Sequence, residues 1–176
     1  MNLKGLLSAV AFTACVPIAN WMVENVGVCS IEGPCVVPVW PGLWAPSAVL
    51  VAGLALVLRD VVHAEWGPVK AAGLIVLGAI LSFYVASPQL AVASAVAFLV
   101  AEMVDFGVYA PIYRRWPARA VLLSGLAGAT VDSVLFLSLA FGDLSFLPAQ
   151  LVGKMWASVL AAIAIRFLAF RHVTRG

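Results

Sequence analysis

Six apolar runs, each near twenty residues long, divide the chain, and short polar or proline-rich connectors separate them. The runs cover about residues 5–26, 43–62, 68–86, 89–109, 120–141 and 148–170. A helix rises about 1.5 Å per residue, so about 20 apolar residues cross the hydrocarbon core of a bilayer. The runs are continuous and do not alternate with polar positions, which argues against a transmembrane β-barrel. The pattern predicts an all-α polytopic membrane protein, with six transmembrane helices in a single domain, residues 1–176. Composition agrees: 64% of the residues are apolar and only 10% charged, which exceeds what a soluble domain of this length buries.

The connectors set the orientation. Lys4, Arg59, Lys70, Arg114, Arg115, Arg119, Arg171 and Arg175 fall on one side, with Arg166 near that end of run six. Only Lys154 falls in the other half, and it lies inside a run. The positive-inside rule then puts both N and C termini in the cytoplasm. Lys4 followed by run one resembles a signal peptide, and Phe12-Thr13-Ala14-Cys15 a lipoprotein cleavage box, but the apolar stretch continues well past Cys15 and reads as a helix. Thr13, Pro17, Asn20 and Glu24 share one face of it, and Pro17 is expected to kink it. In the linker 27–41, Pro34, Pro38 and Pro41 exclude a regular helix. On the outer side Cys29 and Cys35 either form a disulfide or stay free thiols. Three cysteines and two widely separated histidines argue against a metal site.

Ionisable groups inside the runs are the candidate chemistry, because a charge at the bilayer centre costs at least about 2.5–3.5 kcal/mol unless it faces a partner or a cavity. Asp132 sits in the middle of run five. Two rows of small residues accompany it, Ser124, Gly128, Asp132 and Gly125, Ala129, Ser133, which allow neighbouring backbones to come close. Glu102 and Asp105 share a face of run four with Ser94, Phe98 and Tyr109, and Gln150, Lys154, Ser158 and Ala161 form a stripe on run six. Asp132 and Lys154 differ in depth by roughly 6 Å, within reach of a lysine stem. Either Lys154 neutralises Asp132, or another acid, as a structural ion pair, or these groups line a ligand site in the outer half, with Asn20, Glu24 and Gln150 at similar depth. Glu102 and Asp105 either pin helix ends with Arg59 or Arg114, or form an inner gate or proton-binding pair, since neighbouring carboxylates hold protons more tightly; Asp60 stands beside Arg59 in the same gate. The tryptophans fall mostly near the expected interfaces as an aromatic belt, and Trp40, Trp44 and Trp156 are placed to stack on a flat ligand. His63, near Asp60 and Glu65, reads as a loop cluster without a nucleophile.

Several classes drop out. Gly153-Lys154-Met155 lacks the rest of a phosphate-binding loop, and neither HExxH nor GxSxG occurs. An ATP-driven pump encoded by this chain alone is excluded, no enzyme and no cofactor are expected, and no basic arm points to nucleic acid.

The motif order resembles the vitamin uptake transporter family, also called queuosine precursor transporters. The matching stretches are Leu58-Arg59-Asp60-Val61-Val62-His63-Ala64-Glu65-Trp66-Gly67, Val100-Ala101-Glu102-Met103-Val104-Asp105-Phe106, Arg114-Arg115, Thr130-Val131-Asp132-Ser133-Val134-Leu135-Phe136 and Ala140-Phe141-Gly142. The resemblance runs over roughly residues 42–170. It implies uptake of 7-cyano-7-deazaguanine or a related base across a bacterial inner membrane, on a six-helix fold like the substrate-binding components of energy-coupling-factor importers. A guanine-like edge sets an N–H beside an exocyclic amine, and a carboxylate accepts both as a fork. Asp132 is the first choice for that fork and Glu102 the second, with Lys154, Asn20 or Gln150 for the carbonyl or nitrile side. The expected partners are a purine-like small molecule and membrane lipid, with a homo-oligomer open. Rival readings are a binding subunit that needs a separate ATPase module, and a structural membrane protein whose charges only hold helices together.

Overall fold

The computed structural model describes residues 2–30, 33–86 and 90–173, with side chains to 167. Glu32, the expected Ser87-Pro88 turn with Gln89, and the side chains of Arg171, His172 and Arg175 lie outside the described residues. Among the described residues six helices fold around one another: α1 (Leu3–Asn25), α2 (Val49–Trp66), α3 (Pro68–Val85), α4 (Ala91–Ile112), α5 (Pro117–Ala140) and α6 (Leu147–Val173). All but α2 are long and apolar enough to cross a membrane. Large apolar side chains such as Leu7, Val10, Ile80, Leu123, Leu160 and Ile163 point outward, while Arg59, Asp60, Glu102, Asp105 and Lys154 are buried. This is the inside-out polarity of a chain whose solvent is lipid, and the protein is a multi-pass membrane protein.

Local chemistry sets the helix ends. Asn2 caps α1 by accepting from the Gly5 N–H at 3.1 Å. Gly67, at φ 84°, ends α2 and opens α3, whose first residue is Pro68. Pro117 likewise starts α5. Pro17 lies within an α1 that runs unbroken to Asn25.

The proline-rich linker corrects two sequence expectations. The structure is not purely helical, because β1 (Val36–Trp40) and β2 (Leu43–Pro46) pair as an antiparallel hairpin turning at Pro41-Gly42. Run two therefore does not begin a helix at residue 43. Its first four residues are strand, and α2 starts six residues later, past Pro46. The helix also extends past residue 62 to Trp66, so His63 belongs to the helix and not to a loop cluster, and it is buried there with Arg59 and Asp60. Arg59 accordingly drops out of the loop charges that orient the chain.

The hairpin closes one end of the bundle. The Cys35 N–H donates to Val23 O, Ser47 N–H to Cys35 O, both at 2.9 Å, and Ser47 Oγ to Met22 O. Cys29 and Cys35 are joined by a disulfide. Trp156 Nε1 donates to Val39 O at 3.1 Å, and Val39, Ala45, Val49 and Ala149 form a small apolar core beneath.

The helices meet where side chains are smallest. A Cβ on Gly53 of α2 would stand 2.6 Å from Lys154 O and 2.8 Å from Lys154 Cα of α6. The obstacle is backbone, which no rotamer change relieves. Gly53→Ala is expected to force α2 from α6 and cost about 1–3 kcal/mol, read as a lower midpoint of thermal unfolding in detergent.

Candidate functional site

The hairpin-side half of the bundle holds a partly open cavity of about 110 Å³, several times the space one water needs. Every helix contributes to its wall. Most of the lining is apolar, with Val16, Leu56, Phe98 and Phe136 among it. The polar exceptions that matter are Asn20, Glu102, Asp132, Gln150 and Lys154.

Two charged clusters flank this space. In the first, Lys154 Nζ donates to Asp132 Oδ2, to Ser133 Oγ at 2.8 Å and to Gln150 Oε1 at 2.9 Å. An ammonium has three donors, and all three have acceptors. The Lys154 side chain is 2% exposed and that of Asp132 22%, so the pair is sealed on the lysine side and open on the aspartate side. The ion pair expected as one alternative is present, and its aspartate lines a cavity.

The second cluster lies at and beyond the Glu102 end of the cavity. The Arg59 guanidinium faces three carboxylates: Nε–Glu102 Oε2 at 2.9 Å, Nη1–Asp60 Oδ1 at 2.7 Å and Nη2–Asp105 Oδ1 at 2.5 Å. Only the Nε contact has the alignment of a hydrogen bond. The guanidinium also lies 5.8 Å from the Tyr109 ring centroid. His63 packs among Phe106, Tyr109 and Tyr113, with centroids 4.8–5.1 Å away. Arg114 stays outside on the Tyr113 ring.

Small residues on α5 permit this approach. A Cβ at Gly128 would fall 2.8 Å from Asp105 Cβ, and one at Gly125 would strike Ser158. The two small rows are therefore the contact faces toward α4 and α6.

Asp132, Glu102, Lys154, Asn20 and Gln150 come together on one cavity, while Asp105, Arg59 and Asp60 form the cluster beside it. Trp44 and Trp156 do not join the cavity. They flank a shallow outer groove with Trp40, whose ring stacks on Trp156 at 5.9 Å. Their strand and helix positions turn them away from the bundle axis. Glu24 is exposed. Phe136, Ser82 and Cys15 line the cavity without having been singled out as ligand residues; they are apolar or small and carry no charge signal.

Residues 82–174 match the family model described as "Putative vitamin uptake transporter". The chain belongs to that family. The match takes in Asp132, Ser133, Gln150 and Lys154, the whole first cluster, and Glu102 and Asp105 of the second, while Arg59 and Asp60 precede it. No curated protein and no solved structure matches the chain.

Removing one member of a buried ion pair leaves an uncompensated charge, at about 3–5 kcal/mol. Lys154→Met should lower the unfolding midpoint of this transporter-family protein sharply. Adding Asp132→Asn should recover most of the loss. A neutral Lys154→Met would show that the pair contributes nothing to holding α5 on α6.

Proposed function

We propose that the protein takes up a queuosine precursor such as 7-cyano-7-deazaguanine, binding the guanine-like base in the cavity. The observation that carries the reading is Asp132, a membrane-embedded carboxylate fixed by Lys154 through one oxygen and lining open space. Its other oxygen, with Glu102 across the cavity, supplies acceptors for the adjacent N–H and amine of such a base. Phe98 and Phe136 offer flat apolar faces. Because the Lys154 donors are used up, Lys154 positions Asp132 and does not bind the base itself. Gln150 gives its oxygen to Lys154 and keeps its NH₂ for the base's carbonyl side.

In this reading all six helices cross the membrane. The charges of α2 do not forbid it, because Arg59 and Asp60 are paired inside the bundle and Glu65 lies in its last turn, bonded to Asn2. The exposed basic residues at the bundle end opposite the hairpin, Lys4, Lys70, Arg114, Arg115 and Arg119, then face the cytoplasm with both termini. The hairpin and its disulfide face the oxidising side.

A thermal-shift series on purified protein in detergent tests the binding. 7-Cyano-7-deazaguanine should raise the midpoint, by about 2.7 kcal/mol equivalent at a hundred times its Kd, and an anionic vitamin such as biotin should not. Asp132→Asn exchanges an acceptor for a donor and should weaken binding roughly 10- to 100-fold, the loss of one or two hydrogen bonds to a charged group. In a queuosine-deficient auxotroph at limiting precursor, the same variant should fail to restore tRNA queuosine. Normal uptake by Asp132→Asn would sink the proposal.

A further inference from the structure

The carboxylates around Arg59 outnumber its charge. Asp60, Glu102 and Asp105 all contact one guanidinium, an excess of two negative charges if all three are ionised. Each is at most 3% exposed. An unbalanced charge in so dry a place costs several kcal/mol, and a buried carboxylate escapes that cost by taking a proton. Two further observations point to a proton as the ligand. Asp105 Oδ2 is fully buried with no hydrogen-bond partner among the described residues. Glu102 belongs to the cluster and to the cavity wall at once, which gives the cluster an opening through which a proton arrives or leaves.

We propose that the Arg59 cluster, opening to the cavity through Glu102, is a proton-binding site that couples movement of the bound molecule to a proton. The proposal goes beyond the uptake reading and rests on it for the molecule carried. With Glu102 ionised, its bond to Arg59 Nε ties α4 to α2 at the edge of the cavity. A proton entering from the outer phase settles on a carboxylate oxygen of Glu102 or Asp105. It removes that carboxylate's share of the attraction to Arg59 and loosens the hold of α2 on α4. Loss of the same proton to the cytoplasm remakes the tie, so one proton enters with each base.

The charged and titratable groups facing Glu102 and Asp105 come from α2, α4, α5 and α6. Arg59, Asp60 and His63 belong to α2, Tyr109 to α4 itself, and Asp132 to α5, held by Lys154 of α6. From α1 and α3 the cavity wall receives Cys15, Asn20 and Ser82 but no charged side chain.

Two measurements test this. In proteoliposomes of the full chain, a trapped pH-sensitive dye should report internal acidification when 7-cyano-7-deazaguanine enters. A one-unit inward pH gradient should support up to about tenfold accumulation for one proton per base. Accumulation without acidification, or acidification undiminished in Asp105→Asn, would overturn the coupling. Separately, infrared difference spectra of the purified protein without any base should show a protonated-carboxyl band that changes with pH. It should be lost in Glu102→Gln/Asp105→Asn and kept in the control Glu24→Gln, whose carboxylate is exposed. If no such band titrates in the wild type, the proton site is wrong whatever the transport assay gives. If the band titrates but no base is carried, the proton site stands and the choice of base fails.

Discussion

One guanidinium sets the terms for this bundle. Arg59 cannot face lipid, and the charges of α2 have to be met from inside the bundle. Carboxylates on α2 and α4 meet them, and the Nε–Glu102 contact at 2.9 Å is the aligned one. An arginine suits the place because its planar fork addresses several oxygens at fixed angles while keeping its charge. Once Arg59 is so placed, α4 must lie beside α2 with Glu102 and Asp105 turned inward. The stripe of Ser94, Phe98 and Glu102 on the same face then becomes a wall of the cavity.

The remaining walls follow from size. Gly128 brings α5 against Asp105, Gly125 brings it against Ser158, and Gly53 lets α2 touch the α6 backbone beside Lys154. These close approaches fix where Lys154 begins. From there its stem reaches Asp132, Ser133 and Gln150. Where the packing is close the bundle is dry. Where Val16, Leu56, Phe98 and Phe136 stand back from one another, space is left. The hairpin, fastened to α1 through Cys35 and Ser47 and to α6 through Trp156, packs over the end above it.

Much of this could be read from residue order alone, and the exceptions have physical causes. Hydropathy marks membrane helices well because every lipid-facing position must be apolar, and the small rows on α5 foretold its two contact faces. Leu43–Pro46 misled because an apolar strand and an apolar helix start look alike over four residues, and the proline that decides between them stands at the strand's last position. The stretch from His63 to Trp66 read as a loop because charge usually marks the water boundary. The helical face on which Arg59, Val62 and His63 are all buried was the signal that it continues inward. The tryptophans misled in the other direction. Their rings are good stacking surfaces, but Trp40 and Trp156 use them on each other. Partners drawn from α2, α4, α5 and α6 converge in space without any fixed spacing in the chain, so sequence could nominate Asp132 and Glu102 but could not show that they share one cavity.

The placement of charge also constrains what such a cavity accepts. Its wall holds two carboxylates, Glu102 and Asp132, and one ammonium. The ammonium has spent its donors on Asp132, Ser133 and Gln150. An anionic guest would therefore meet two acceptors and, among the described cavity-lining residues, no unengaged cation, at a depth where unmatched charge is most costly. A neutral molecule rich in N–H donors meets the opposite situation: each donor finds an oxygen, and the flat apolar remainder finds phenyl rings. Affinity for such a guest would come from completing the hydrogen bonding of acceptors set in a mostly apolar wall, where water hydrates them incompletely. That is a larger gain than making the same hydrogen bond in water, where the carboxylate was never without a partner.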